Sequence, residues 1–264
     1  MRSMERKALI LDELKSRGSV DVLELSKRFS VSEVTIRRDL SAMENEHVIH
    51  RTHGGAVLNE SYLSQQRDFP YSIRKIQHYQ SKENICRLAS DYIEDGDIIY
   101  IDNSSTLLCL PHYISPSLSV TILTNSIGIL CEASKLNNRS HTYVCLGGIY
   151  NCMNLSTYGN LALSGARDFF PTKCFVSCAS ISSDGVVTDA SIHELDVKTL
   201  MIGQSSKAFL LADSSKLGVL DKVYLCDLKS FQHLICDDDS IYQKLNPGAL
   251  DGLQIHICSP YHPS

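Results

Sequence analysis

Four short polar clusters carry the residue types that hold an anion. Asp102-Asn103-Ser104-Ser105-Thr106, Thr124-Asn125-Ser126, Gly147-Gly148 and Asp213-Ser214-Ser215-Lys216 each follow an apolar run. Hydroxyls and amides donate hydrogen bonds, glycines let backbone N–H groups approach closely, and a lysine supplies the counter-charge, which together suit a phosphate. Asp102, Ser104, Ser105, Thr106, Thr124, Asn125, Ser126, Gly147, Gly148 and Lys216 are therefore candidate effector contacts. Taken singly, each cluster is ordinary: Ser or Thr after a strand commonly caps a helix, and a lysine is mostly solvated.

A second constellation lies near the amino terminus. With Ile36, Leu40 and Met43 turned to a core, a helix advancing about 100° per residue points Val34, Arg38 and Ser41 away from it, with Thr35 and Arg37 alongside. Two arginines, hydroxyls and a small apolar group suit base edges and phosphates in a DNA groove. Asp39 falls at the core edge, where it is expected to orient an arginine. Beyond this helix, Val48-Ile49 and Ala56-Val57 flank Gly54-Gly55 as two strands of a wing, with Arg51 and His53 along it. Ser32, Val34, Thr35, Arg37, Arg38, Ser41, Arg51, His53 and Gly54 are the candidate DNA contacts. His47, His50 and His53 are spaced for alternate faces of a strand, which suits phosphate proximity better than a shared metal ion.

Both constellations need particular elements to hold them. Apolar residues at helical spacing (Met4, Ala8, Leu11; Val22, Leu25, Phe29; Ile36, Leu40, Met43) predict three helices, the first ended by Gly18, the second opened near Asp21 and the third capped by Ser32. The short junction between the second and third is helix-turn-helix spacing. Residues 1–58 are read as a winged helix-turn-helix domain and 59–80 as a linker containing Ser61, Ser64, Gln65, Gln66 and Pro70. In 81–264, strands at 98–101, 120–123, 142–146, 174–176, 208–211, 234–236 and 255–258 alternate with helices at 83–93, 106–113, 127–133, 161–170 and 194–204. That alternation predicts an α/β domain with a mostly parallel sheet, whose ligand sits at the carboxyl ends of the strands where the polar clusters fall.

Composition narrows the function classes. The chain has 264 residues, 43% hydrophobic and 21% charged, with no apolar run near the ~20 residues of a membrane span and no apolar segment behind Met1 suited to secretion. A cytoplasmic protein without membrane partners is expected. The ten cysteines, scattered among apolar neighbours, are read as buried thiols, since Cys174 and Cys178 lack the second pair of a zinc site. The formal charge is −5, yet residues 1–60 hold ten basic and ten acidic side chains, so DNA contact must come from local arrangement.

Ser32-Glu33-Val34-Thr35-Ile36-Arg37-Arg38-Asp39-Leu40 with Arg51-Thr52-His53-Gly54-Gly55-Ala56 resembles the DNA-binding module of the DeoR family of sugar-metabolism regulators. Ser183-Asp184-Gly185, Glu194-Leu195-Asp196-Val197-Lys198 and 212–218 resemble that family's sensor domain, similar in fold to ribose-5-phosphate isomerase and glucosamine-6-phosphate deaminase. The resemblance implies a repressor of a carbohydrate-metabolism operon, bound to double-stranded operator DNA and modulated by a phosphorylated sugar, with no cofactor and no catalysis. It adds Asp184 and Glu194 to the effector contacts. The alternative is an isomerase or deaminase with a DNA-binding appendage, using Asp102, Asp184, Glu194 and Lys216 as acid–base groups. A homodimer or homotetramer is expected, because one winged module buries little DNA surface. The chain departs from the family at Ser104, Ser177 and Ser180, where small glycines are usual; side chains there narrow the pocket.

Overall fold

In the computed structural model, which describes residues 1–59 and 69–258, the chain divides into two units, Met1–Gln80 and Ser81–Ser264. In the first, helix α1 (Ser3–Arg17) stops at Gly18, whose φ of 78° returns its N–H to the Leu14 carbonyl at 2.8 Å. A three-residue strand, β1 (Ser19–Asp21), leads into α2 (Val22–Phe29), where the Asp21 carboxylate accepts from the Leu23 and Glu24 amides. Ser30, in the left-handed region at φ 53°, makes the turn, and Ser32 caps α3 (Glu33–Asn45). The wing strands β2 (Ile49–Arg51) and β3 (Gly55–Leu58) pair antiparallel, and β1 joins them in the order β1-β3-β2.

Two constraints hold this unit together. An added Cβ on Gly55 would lie 1.8 Å from the Val20 carbonyl oxygen, so Gly55 opens β3 against β1 where no other residue fits. Asp39, on the inner side of α3, takes the Arg6 guanidinium at 2.5 Å and the Ser3 hydroxyl at 2.8 Å; Arg6 and Asp39 are both buried. The arginine that Asp39 orients is thus on α1, not on its own helix. Around them Ile10, Leu11, Leu14, Leu25, Ile36, Leu40, Met43 and Ile49 form the core.

The linker expected at 59–80 is shorter. Ser61, Ser64, Gln65 and Gln66 lie outside the described residues, but Pro70 precedes a short helix α4 (Tyr71–Arg74), and Ile73, Ile76 and Tyr79 are buried in the first unit's core. Their apolar side chains are what a solvated linker would not carry.

The second unit begins within α5 (Tyr79–Ser90). Its main sheet uses β4 (Ile98–Ile101), β5 (Thr121–Thr124), β6 (Thr142–Cys145), β9 (Lys173–Val176), β12 (Lys207–Ala212), β14 (His233–Cys236) and β15 (Gln254–Ile257). They pair in the order β15-β14-β12-β9-β4-β5-β6, each neighbour parallel. Both faces are covered, as parallel sheets require: Tyr100, Leu123, Val176 and Leu210 pack on one side and Ile101, Ile122, Phe175 and Leu211 on the other. Helices α6 (Ile127–Ala133), α7 (Asn160–Arg167) and α8 (Leu195–Gln204) complete the expected alternation. A hairpin, β7 (Ile149–Asn151) with β8 (Ser156–Tyr158), and an antiparallel sheet of β10 (Ser180–Ile181), β11 (Val186–Asp189) and β13 (Val223–Asp227) were not expected.

Two expectations are corrected. No α-helix forms over 106–113, where a single 3-10 turn covers Leu110–His112, because Pro111 cannot donate to a helical ladder. Six cysteines are buried, but Cys131, Cys145 and Cys152 are exposed, so apolar sequence neighbours did not guarantee burial. No helix among the described residues is long and apolar enough to cross a membrane.

Substitution Asp39→Ala strands the buried Arg6 charge and should destabilise the first unit by about 3–5 kcal/mol, read by chemical denaturation. Gly55→Ala forces β1 and β3 apart and should lose about 1–3 kcal/mol by the same measurement, with Gly147→Ala, which meets nothing within 4 Å, unchanged.

Candidate functional site

The outward face of α3 follows from where its core stripe points. Val34 is 75% exposed, Arg37 and Arg38 are exposed beside it, and Thr35 lies at its edge. Ser32 has a structural task, its hydroxyl accepting from the Thr35 amide at 3.2 Å and meeting the Thr35 hydroxyl at 2.9 Å. Arg37 is held by Glu33 at 3.1 Å, one turn earlier, whereas Arg38 has no bonded partner among the described residues. The wing is tied to the same helix: the Arg51 guanidinium donates to Ser41 Oγ at 3.0 Å, and its amide donates to Glu44. His53 and Gly54 sit exposed in the tight turn before Gly55, whose amide bonds Thr52. Arg37, Arg38, Arg51 and His53 thus line an exposed cationic and polar face, the kind that meets a phosphate backbone and a major groove.

In the second unit the carboxyl ends of three adjacent strands converge. Asp102, fully buried after β4, accepts from the Ser104 amide at 2.8 Å and the Ser177 amide at 2.9 Å, and it meets the Lys198 ammonium at 3.0 Å. Lys198, from α8, also donates to the Ser177 carbonyl and pairs with Asp189. Burial works against its charge, yet Asp102 and Asp189 hold its ammonium well above the ordinary lysine range. Lys216, in the turn after β12, donates to Thr106 Oγ1 and Ser177 Oγ, each at 2.8 Å, while the Asp213 carboxylate stays 3.9 Å away. Ser105 accepts from Lys82 at 3.2 Å, and Ser104 Oγ is buried with no hydrogen-bond partner among the described residues.

The ends of β5 and β6 form a neighbouring group. Burial and the Asp102 charge hold the Tyr100 phenol well above its usual range, so it stays protonated and donates to Asn125 Oδ1 at 2.9 Å. Asn125 donates in turn to the Thr157 carbonyl at 3.0 Å. Thr124 and Ser126 turn their hydroxyls on backbone amides, of Ser126 and Ile129. Gly147 and Gly148 are exposed; the φ of Gly148 is 134°, and an added Cβ would lie 2.5 Å from the Tyr158 carbonyl oxygen. Glu194 is buried and accepts from Asn151, Asn154 and Ser156 of the hairpin.

Asp184 stands apart. Its exposed carboxylate bonds Asn246 at 2.7 Å and joins none of the contacts above. Conversely, Asp189 and Tyr100 are central yet are not singled out in the sequence, and Ser177 and Lys198, which stand in the family resemblance, are not among the candidate contacts. One signal was available for Lys198: it follows Glu194 by four residues, on a helix whose neighbouring positions Val197, Met201 and Ile202 are buried. Of the two lysines that meet Ser177, Lys216 is the one more available to an anion, since two carboxylates lie within 3.0 Å of Lys198 while Lys216 rests on two hydroxyls with Asp213 3.9 Å away. Without a helix over 106–113, no helix dipole helps after β4, and side chains must do that work.

Residues 6–62 match the DeoR-like helix-turn-helix domain, and residues 77–238 match the DeoR C terminal sensor domain. An uncharacterised HTH-type transcriptional regulator of Bacillus subtilis, YulB, is 33% identical over 95% of this chain and 93% of its own. The L-fucose operon activator of Haemophilus influenzae is 30% identical, covering 88% and 91%, and the lactose phosphotransferase system repressor of Streptococcus mutans 28%, covering 93% and 97%. Among solved structures, ribose 5-phosphate isomerase A of Methanocaldococcus jannaschii overlaps 52% of this chain and 53% of its own with a TM-score of 0.38 and 13% identity. On both matched domains and on relatives spanning nearly its whole length, the chain belongs to the DeoR family of helix-turn-helix transcriptional regulators.

Proposed function

We propose that this chain is an operator-binding repressor of a carbohydrate-metabolism operon, acting in the cytoplasm, whose DNA affinity falls when a phosphorylated sugar binds at Lys216. The observation that carries the reading is the Lys216 ammonium resting on Thr106 and Ser177 at the ends of adjacent parallel strands. A phosphate oxygen offers that ammonium a charged acceptor in place of two neutral ones, a gain of the charge-assisted kind. The buried Ser104 hydroxyl supports the same reading, because a polar atom left unpaired costs about 1–3 kcal/mol unless a ligand completes it. Among the relatives, one is named a repressor of a lactose system and another an activator of a fucose operon. The ligand must bind the two states of the protein unequally, since equal affinity shifts nothing.

The enzyme alternative is weaker on geometry. Asp102 is held by two amides and an ammonium, Glu194 by three side chains, and Asp184 lies elsewhere, so none of the three is placed as a mobile proton carrier beside Lys216.

Arg38→Ala should weaken binding to an operator fragment selected from random DNA by about 1–3 kcal/mol and relax preference at one base position, whereas Arg37→Ala should flatten the salt slope by about one unit. Fluorescence anisotropy at two salt concentrations reads both, and unchanged affinity in both variants removes α3 as the reader. A thermal-shift screen of sugar phosphates identifies the effector, which at a hundredfold its Kd adds about 2.7 kcal/mol of stability. With it, Lys216→Ala should lose several-fold to a hundredfold in affinity, on the ~1.5–3 kcal/mol scale of a charge-assisted bond, while operator binding by the free protein is kept. An identical half-response in wild type and variant contradicts the assignment.

A further inference from the structure

Two histidines are built into the main sheet, away from the anion site. His233 opens β14, and His256 lies on β15, the strand that ends the sheet. His233 pairs with Gln254, so His256 stands two residues further along and on the same face. The two rings meet: His233 Nδ1 is 3.1 Å from His256 Nε2, and His256 Nδ1 is 2.8 Å from the hydroxyl of Tyr92, in the turn just after α5. Both ring nitrogens of His256 are thereby engaged, and one chain of contacts joins β14, β15 and the segment after α5. Phe209 lies flat on His233, with ring centroids 4.2 Å apart and planes 7° apart, and Phe175 stacks on Phe209 at 4.9 Å. His233 is buried and His256 half-buried.

This chain of contacts suits neutral rings. A neutral imidazole has one N–H and one bare nitrogen, so each contact can hold one proton whichever way the donation runs. With both rings charged every ring nitrogen carries a proton, and the 3.1 Å contact sets N–H against N–H. Burial holds both rings below the ordinary histidine value, and His256 and Lys207, at the start of β12, press on His233 in the same direction. No carboxylate among the described residues opposes this at either ring. Asp91 acts instead on the Tyr92 phenol, which burial holds above its usual range, so that it keeps its proton. His112 differs, with the Glu132 carboxylate 3.0 Å from its ring.

The strand this chain secures has little else to hold it. β15 pairs with β14 alone, and none of its four residues is fully buried, whereas all four of β14 are. Elements with few buried contacts open at the lowest cost. From the ring contacts, the burial and the edge position, we propose that Tyr92, His256 and His233 form a pH-sensitive latch, which holds β15 and the turn after α5 to the sheet while the rings are neutral and releases β15 when they are protonated. The direction follows from linkage. An unfolded histidine titrates near about 6.5, and the latched rings lie below it, so the open state binds more protons. Closure is complete above about pH 6.5 and weakens as the pH falls toward the values of the latched rings. The latch goes beyond operator and sugar binding and depends on neither.

The test uses the full chain without DNA or sugar, so its result is separate from the fate of the proposed function. Amide hydrogen exchange of a peptide spanning 254–257 is followed from about pH 7.5 to about pH 5, each rate being divided by that of an unstructured peptide at the same pH. Each pH unit below the free-histidine value costs up to tenfold per ring that must stay neutral, so β15 of the wild type should lose about tenfold or more of its protection. Peptides covering β4 and β5 should keep theirs. The double variant His233→Asn/His256→Gln, which has nothing to titrate there, should show no such fall, and His112→Gln should fall as the wild type does. Equal β15 protection across the range, a loss shared by β4 and β5, or a double variant that falls like the wild type overturns the proposal. Should the double variant lack wild-type circular dichroism at neutral pH, ring NMR of the wild type with labelled histidine decides instead. Two ring signals should then titrate below about 6.5 in step with the loss of β15 protection, and ring signals that all titrate at or above that value overturn the latch.

Discussion

The buried ammonium of Lys198 is the constraint around which the sensor unit is organised. A charge removed from water costs several kcal/mol unless paired and hydrogen-bonded, so the protein must bring acceptors to it from several elements at once. Asp102 comes from the end of β4, Asp189 from the end of β11, and the Ser177 carbonyl from the segment after β9. This one side chain therefore docks α8 onto the parallel sheet and ties the small antiparallel sheet to it. It also fixes where the Ser177 hydroxyl stands, because the Ser177 amide is held by the same Asp102 carboxylate. Lys216 then finds its resting place on that hydroxyl. The candidate anion site is in this sense a second layer, resting on the charge network of Lys198, Asp102 and Asp189.

The first unit solves a similar problem with one pair. Within the run Thr35-Ile36-Arg37-Arg38-Asp39-Leu40, helical geometry sends Arg37 and Arg38 outward and Asp39 inward. Asp39 then needs a buried cation, and Arg6 of α1 supplies it. The motif thus combines an exposed cationic face with the bolt that fastens α3 to α1. Loss of DNA binding on changing Asp39 would accordingly report on the fold, whereas the same loss at Arg38 would report on the interface.

What could be read in the sequence follows from which signals are local. The first three helices declared themselves through Gly18, Asp21 and Ser32, whose capping chemistry acts within four residues. The inner parallel strands such as β12 and β14 were legible because strands buried on both faces are continuous apolar runs. The β7–β8 hairpin and the β10-β11-β13 sheet were not, since their strands are two to five residues long and mix polar with apolar positions. Strand β1 exists only because Gly55 admits it, a long-range condition that no window around Val20 contains. Of the effector candidates, the strand-end clusters fall beside one another, but Asp184 bonds Asn246 instead, and the network that positions them depends on Lys198 and Ser177 meeting across sequence gaps that spacing rules do not span.

The three serines expected from the resemblance to narrow the pocket have unequal consequences. Ser180 closes on Thr188 at 2.6 Å, an exchange of hydroxyls within the small antiparallel sheet. Ser177 donates to the Leu211 carbonyl and accepts from Lys216, so its side chain is satisfied from both sides and serves as part of the lysine's cradle. Of the three, only Ser104 places a buried hydroxyl with no hydrogen-bond partner among the described residues. A pocket narrowed at all three positions would reject the family's ligands wholesale. A pocket in which two serines are bonded within the protein and one hydroxyl stands unpaired calls for a different ligand only at one point: a group that can hydrogen-bond Ser104 gains what an apolar group of equal size would forfeit, because the apolar group leaves that hydroxyl buried and unmatched. If, as proposed, Lys216 holds the charged end of a sugar phosphate, selectivity in this chain should turn on the part of that ligand nearest the turn after β4.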